Sequence, residues 1–264
     1  MLVDTHAHLE AIDDLEDSLK RAKEAGVRKI ITIGSSLDSS KKAIGIAQKY
    51  SSDELQIFAT CGLHPKDAKG EIKGLHYNDI LKSLKSLALS SKKIVAIGEC
   101  GLDYYPDTTD EEKEFQRELF EKQIKLASDL NLPLVIHCRN AWDDLISLLT
   151  TDYRLPTPQG VFHSWTGDWK AAEKAINLDF YISFSGIVTF KNAKEIQEAA
   201  KKMPLGRMLI ETDSPFLSPE PLRGKRNEPK NVRIVAQFLA HLRNQPINTI
   251  IGSSADNAKR LFGI

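Results

Sequence analysis

Short, almost wholly apolar runs alternate along the chain with longer amphipathic stretches. The short runs fall at Leu2–Thr5, Ile30–Ile33, Gln56–Thr60, Ile94–Ile97, Leu134–Ile136, Gly160–Phe162, Phe180–Ser183 and Met208–Ile210. Segments such as KIITIG, KIVAIG, LPLVIH and RMLIET lack the apolar–polar alternation of a strand with one wet face. Continuous apolar strands of this kind are buried on both sides, as in a parallel sheet. The stretches between them carry the helical period. Asp13–Ala25 repeats through Leu15, Leu19 and Ala22, and Gly26 follows where a left-handed cap belongs. Glu111–Leu130 places Phe115, Leu119, Ile124 and Leu130 at helical spacing. Asn192–Lys202 and Asn231–Leu242 begin on an asparagine able to cap them.

Eight β runs separated by helices predict a (β/α)8 TIM barrel in a single domain spanning 1–264, with an extra C-terminal helix near 248–261. An open doubly wound sheet is the alternative. The polar residues favour the barrel. His6 and His8, His64, Glu99 with Asp103, His137 with Arg139, His163, and Asp213 all lie just after β runs. Five of the seven histidines sit at such ends; His76 and His241 lie in helical stretches and are assigned no role. Strand C-termini of a barrel meet on one face, so these groups would converge. An open sheet would spread them along a crevice.

Composition narrows the class. The 264 residues carry 36 Lys+Arg and 36 Asp+Glu, with 41% hydrophobic residues, which fits a globular chain and excludes a disordered one. A balanced charge excludes nucleic-acid or membrane binding through an overall field, though not through a local patch. No apolar run reaches the ~18 residues of a membrane span, and the N-terminus lacks a leader pattern, so a cytoplasmic protein is expected. Cys61, Cys100 and Cys138 are odd in number and widely spaced. They are expected to be small buried fillers in a reducing compartment and not zinc thiolates.

A bare His-x-His is weak evidence, but residues i and i+2 of a strand point the same way, so His6 and His8 can reach one ion. Two further histidines, a Glu and an Asp at other strand ends change the picture. Imidazole with carboxylate suits Zn, Mn or Fe, and carboxylate also admits Mg. Six ligands exceed one catalytic zinc and match two metals sharing a carboxylate, an arrangement suited to hydrolytic displacement.

The ordered motifs DTHAHL, GLHP, IGECGLDYY, LPLVIHCR, FHSWTG, ETDSPFL and RGKRNEP cover nearly the whole chain. With them it resembles the TatD-type metal-dependent deoxyribonucleases, a branch of the amidohydrolase-like barrels. The resemblance implies that His6 and His8 bind one metal, that His137 and His163 bind a second, and that Glu99 bridges them. It implies that Asp213 completes the first site and accepts a proton from the attacking water. It also implies two divalent ions (Mg, Mn or Zn), no organic cofactor, no membrane, and a DNA substrate, single strands or 3′ ends foremost.

Other residues stay open between two readings. His64 is a phosphate contact or a loop histidine. Asp103 orients a ligand or makes a turn. Arg139 reaches a phosphate or makes a rim ion pair. Arg223, Lys225 and Arg226 follow the eighth run, where they grip phosphates or form a solvated loop. Tyr104, Tyr105 and Trp165 stack on a base or pack loops. Three functions follow: a 3′→5′ deoxyribonuclease with Asp213 as general base; an acyl or amide hydrolase such as a D-aminoacyl-tRNA deacylase; and a non-catalytic barrel, which would be expected to have lost ligands.

Overall fold

The structure is a computed structural model that describes residues 1–68, 77–150 and 159–264. His76 lies outside the described residues. Eight strands run β1 (Leu2–Ala7), β2 (Val27–Thr32), β3 (Gln56–Cys61), β4 (Ile94–Asp103), β5 (Leu134–Arg139), β6 (Gly160–Phe162), β7 (Phe180–Phe184) and β8 (Met208–Ile210). They pair in chain order and every neighbour is parallel. A parallel bridge between Ala7 and Ser214 brings the ends together. There the Asp213 N–H donates to the His6 carbonyl at 2.8 Å, and the His8 N–H to the Ser214 carbonyl at 2.7 Å. This is the expected TIM barrel.

The apolar runs are buried because both their faces are covered. Val3, Ile31, Val95, Val135, Val161, Tyr181 and Leu209, one from each strand except β3, form a separate cluster. Ala255, Ala258, Leu261 and Phe262 join it from the last helix, Ile247–Phe262, which is the extra helix expected from the sequence. A second, larger cluster packs strands against the surrounding helices.

Several elements differ from their sequence outlines in one informative way. Strands β1, β4 and β5 run through the polar motifs and do not stop before them, so His6, Glu99, Asp103 and His137 are strand residues. Apolar runs underestimate a parallel strand whose end is polar for chemical reasons. The caps also differ. Gly26 closes Leu15–Glu24 with φ of +90° as expected, but Asn231 uses its side chain on Asn227 and makes no capping bond to Val232–Leu242.

Candidate metal centre

Glu99 sits at the middle of the C-terminal face, 3% exposed. The register between β4 and β5 shifts between Ile97 and Cys100, the kind of bulge that re-aims a side chain. Two residues on, Gly101 passes the neighbouring strand so closely that an added Cβ would run into the His137 carbonyl. That close approach requires glycine.

The two carboxylate oxygens of Glu99 face different partners. Oε2 lies 3.5 Å from His6 Nε2 and 3.7 Å from His8 Nε2. Those two nitrogens are 3.3 Å apart, and each is 3.4 Å from Asp213 Oδ1. Oε1 lies 2.8 Å from His163 Nε2 and 3.0 Å from His137 Nδ1, which are 3.2 Å from one another. The six residues the sequence singled out as ligands are therefore gathered into two sets that meet at Glu99. Four donors about 2.0–2.1 Å from one ion stand about 3.3–3.4 Å apart in a tetrahedron, so the spacing of the first set fits a small divalent cation. Without a cation between them, two imidazole nitrogens at 3.3 Å need a proton to avoid repelling each other.

The electrostatics agree. Burial alone would raise the Glu99 carboxyl, but His163, His137 and His6 outweigh it and hold it well below the usual carboxylate range. Burial would likewise raise Asp213, and His8 and His6 bring it below its ordinary value. His8 is disfavoured by burial, yet hydrogen bonds to Asp213 and Glu10 raise it to about 10. The field thus favours positive charge between these side chains, and a metal ion would take the place of the protons. His64 behaves differently. Burial dominates and lowers it to about 4, so it is a neutral imidazole beside Glu99, with Nε2 3.7 Å from Oε1.

Around the ligands stands a supporting layer. Asp103 Oδ2 lies 3.1 Å from His137 Nε2, the ring atom opposite the one facing Glu99. Glu211, 1% exposed, lies 3.4 Å from His163 Nδ1 and accepts the Ser164 N–H at 2.7 Å. Asp4 accepts from both the N–H and the hydroxyl of Thr212, at 2.9 and 2.6 Å, and so ties β1 to the segment that carries Asp213. Asp213 and Ser164 take left-handed backbone, with φ of 57° and 42°, an uncommon conformation that clusters at functional sites.

Sequence reasoning missed Glu211, Glu10 and Lys66. Each had the same faint signal, lying two residues from a residue already singled out: Glu211 from Asp213, Glu10 from His8 and Lys66 from His64. Lys66 Nζ is 3.8 Å from Asp103 Oδ1 and Arg139 is 3.7 Å from Oδ2, so both cations converge beside the centre. The basic loop after β8 divides. Arg226 is engaged by Asp13 and the Ala11 carbonyl. Arg223 and Lys225 are exposed, and the Arg223 guanidinium lies 3.8 Å over the Phe190 ring.

A family model described as TatD related DNase matches residues 3–263. The chain belongs to the TatD-related DNase family. It is 41% identical over 267 residues to the metal-dependent hydrolase YabD of Bacillus subtilis, covering all of both chains. It is 36% identical to the metal-dependent hydrolase YcfH of Escherichia coli, covering 100% of this chain and 96% of that one. Among solved structures, the TatD homologue YjjV of Escherichia coli superposes with a TM-score of 0.89 at 30% identity, covering 100% and 98%. A TatD family hydrolase of Entamoeba histolytica gives 0.86 at 25%, covering 99% and 97%. Like its TatD relatives, this chain is a metal-dependent hydrolase. Among the described residues no helix is long and apolar enough to cross a membrane.

The remaining expectations sort as follows. Cys61, Cys100 and Cys138 are buried free thiols, as expected of fillers. Trp165, 1% exposed, packs on Trp142 and Phe162 and presents no face to a substrate. The Tyr104 hydroxyl donates to Asp144 at 2.7 Å, so this ring packs a loop. Of the two readings left open for these two aromatics, loop packing is the one the structure favours: the Trp165 ring is enclosed and the Tyr104 hydroxyl is hydrogen-bonded within the protein.

Proposed function

We propose that this TatD-family hydrolase is a divalent-metal-dependent deoxyribonuclease that removes nucleotides from single-stranded 3′ ends. The observation that supports it most is the division of Glu99, one oxygen toward His6, His8 and Asp213 and the other toward His137 and His163. Under this reading His6, His8, Asp213 and Glu99 would hold one Mg, Mn or Zn ion, and His137 and His163, with Glu99, would hold another. Bound there, such ions would supply Lewis acidity toward a phosphoryl oxygen and an attacking water.

The chain's own groups do the rest. The Asp213 carboxylate, kept ionised by His8 and His6, accepts the proton of the attacking water. Asp103 and Glu211 fix the orientation of His137 and His163. His64 supplies a neutral imidazole beside Glu99, fit to donate to a phosphate oxygen without adding charge. Arg139, Arg223 and Lys225 offer cationic contacts to the backbone, with Lys66 joining Arg139. Arg226 serves mainly to hold the loop that carries the other two. An acyl substrate, such as an aminoacyl-tRNA ester, would make less use of these cations beside the reacting group.

The test is product analysis on 5′-labelled single-stranded DNA with Mg or Mn. A descending ladder of labelled products is expected. Asp213→Asn should lower kcat by at least ~10³-fold while the circular dichroism spectrum stays native, in the range general-base loss produces. An intact strand under every metal would overturn the reading. A strand cut internally would remove the exonuclease part alone.

A further inference from the structure

Phe216 is a large apolar side chain that the fold leaves 54% exposed on the face of the metal centre. Its ring centre lies 5.6 Å from that of His8 at an angle of 68°. Its place beside the ligand set, more than its exposure, makes the ring notable: a substrate arriving at His8 meets it.

The backbone beneath the ring is held firmly. The Phe216 N–H donates to the Asp213 carbonyl at 2.8 Å. Its own carbonyl accepts from Asn227 Nδ2 at 2.7 Å, and the Asn227 N–H donates to the Pro215 carbonyl at 3.0 Å. Asn227 is 1% exposed, and its side-chain oxygen accepts from Asn231 at 2.8 Å. A buried asparagine thus braces an outward-facing ring from behind. Pro215 and Leu217, on either side of it, line a pocket of about 230 Å³ together with Phe190, Arg223 and Lys225. The loop after Asp213 therefore carries the ring beside His8, while the residues on either side of the ring line the pocket of the two cations.

Other aromatics on this face are less free. Trp165 is enclosed and Tyr104 is hydrogen-bonded to Asp144. Tyr105 is 48% exposed, but Lys66 Nζ lies 4.2 Å and the Arg139 guanidinium 5.7 Å from its ring centre. Its ring already serves the chain's own cations.

We propose that Phe216 is a positioning residue: an unpaired nucleobase flanking the cleaved phosphodiester stacks on its ring, while Arg223 and Lys225 take the phosphate beyond it. The inference rests on the deoxyribonuclease reading and gives it a structural selector. A base still paired in a duplex cannot turn onto the ring, and a ring without hydrogen-bonding groups reads no base identity.

The experiment compares a single strand with all its bases against one in which the two nucleotides flanking the cut carry tetrahydrofuran in place of the base. Binding is measured with Asp213→Asn protein, so that no strand is cut, and KM and kcat with the active chain. Adding Phe216→Ala should weaken binding of the complete strand by about tenfold, as loss of one stacked base does, and raise its KM similarly. The base-free strand should bind within about twofold of its former affinity. Phe216→Trp should bind the complete strand as well as the parent, and Phe216→Leu should fall between. Equal losses on both strands, no loss on either, or full binding by Phe216→Leu would overturn the stacking role while leaving the nuclease reading intact. A parent enzyme that cuts neither strand, and an Asp213→Asn protein that binds neither, would remove the nuclease reading and this inference with it.

Discussion

Asp103 lies 3.1 Å from Nε2 of His137, whose Nδ1 faces Glu99 at 3.0 Å. The ring is thereby pinned at both nitrogens, and the carboxylate decides which of them is free of a proton. Burial would raise Asp103, but His137, Arg139 and Lys66 bring it below its ordinary value, so it stays an acceptor. Removing such a partner usually costs 10–100-fold in metal affinity. Asp103→Ala is expected to weaken metal binding by the set that contains His137 on that scale in a competition titration, with Asp103→Asn losing less. Unchanged affinity in both variants would show that His137 needs no orienting group.

The basic loop is expected to respond in two ways. Arg226→Ala breaks contacts to Asp13 and Ala11 across half-exposed surface, so it should lower stability by up to about 1 kcal/mol in urea unfolding. Arg223→Ala with Lys225→Ala should lower stability by no more than about 1 kcal/mol, the worth of the Arg223–Phe190 stack. It should mainly raise KM for single-stranded DNA and flatten its dependence on salt, because each lost phosphate contact reduces the salt slope. The reverse assignment, with Arg226 alone controlling the salt slope, would contradict the division seen in the loop.

The barrel joins at a carboxyl group. Asp4, fully buried, is pushed up to about 8 by burial, against the hydrogen bonds from Thr212 that favour its ionised form. Asp4→Ala leaves the Thr212 N–H without its acceptor, while the Thr212 hydroxyl keeps Ser214 Oγ at 3.0 Å, and an unsatisfied buried polar group costs about 1–3 kcal/mol. The expected outcome is a loss of at least ~2 kcal/mol by urea unfolding, together with lower activity because Asp213 follows Thr212. Asp4→Asn should retain most of the stability. A fully stable Asp4→Ala would place the closure of the barrel elsewhere.

Alkaline pH should weaken the fold through its thiols. Burial pushes Cys61 from its ordinary 9.0 to about 12, and pushes Cys100 and Cys138 up as well. A raised acid pKa means that the unfolded chain loses its proton first. The stabilisation is therefore complete below about pH 9 and declines as pH rises toward 12, by about 1.4 kcal/mol per unit for each thiol. Urea unfolding at pH 8, 9 and 10 should show a shallower decline for Cys61→Ala than for the parent. An identical slope would mean that this thiol ionises as readily in the folded protein as out of it.

Much of the protein was legible in its sequence. Continuous apolar runs specify strands covered on both sides, and helical periods between them specify the alternation of a parallel barrel; both are local patterns. The motifs at the strand ends named His6, His8, Glu99, His137, His163 and Asp213, because a barrel must bring such ends together. Which cations remain free was decided only in three dimensions. Arg226 finds Asp13 more than 200 positions away in the chain, and no local pattern distinguishes it from Arg223 or Lys225. The same holds for Trp165, which the sequence leaves between stacking and packing, and for Phe216, which no local pattern marks. Barrel closure buries one, and the loop braced by Asn227 holds the other out beside His8. Local periodicity sets what an element is. Long-range closure sets which of its polar atoms and rings are left without a partner, and those are the groups a substrate can meet.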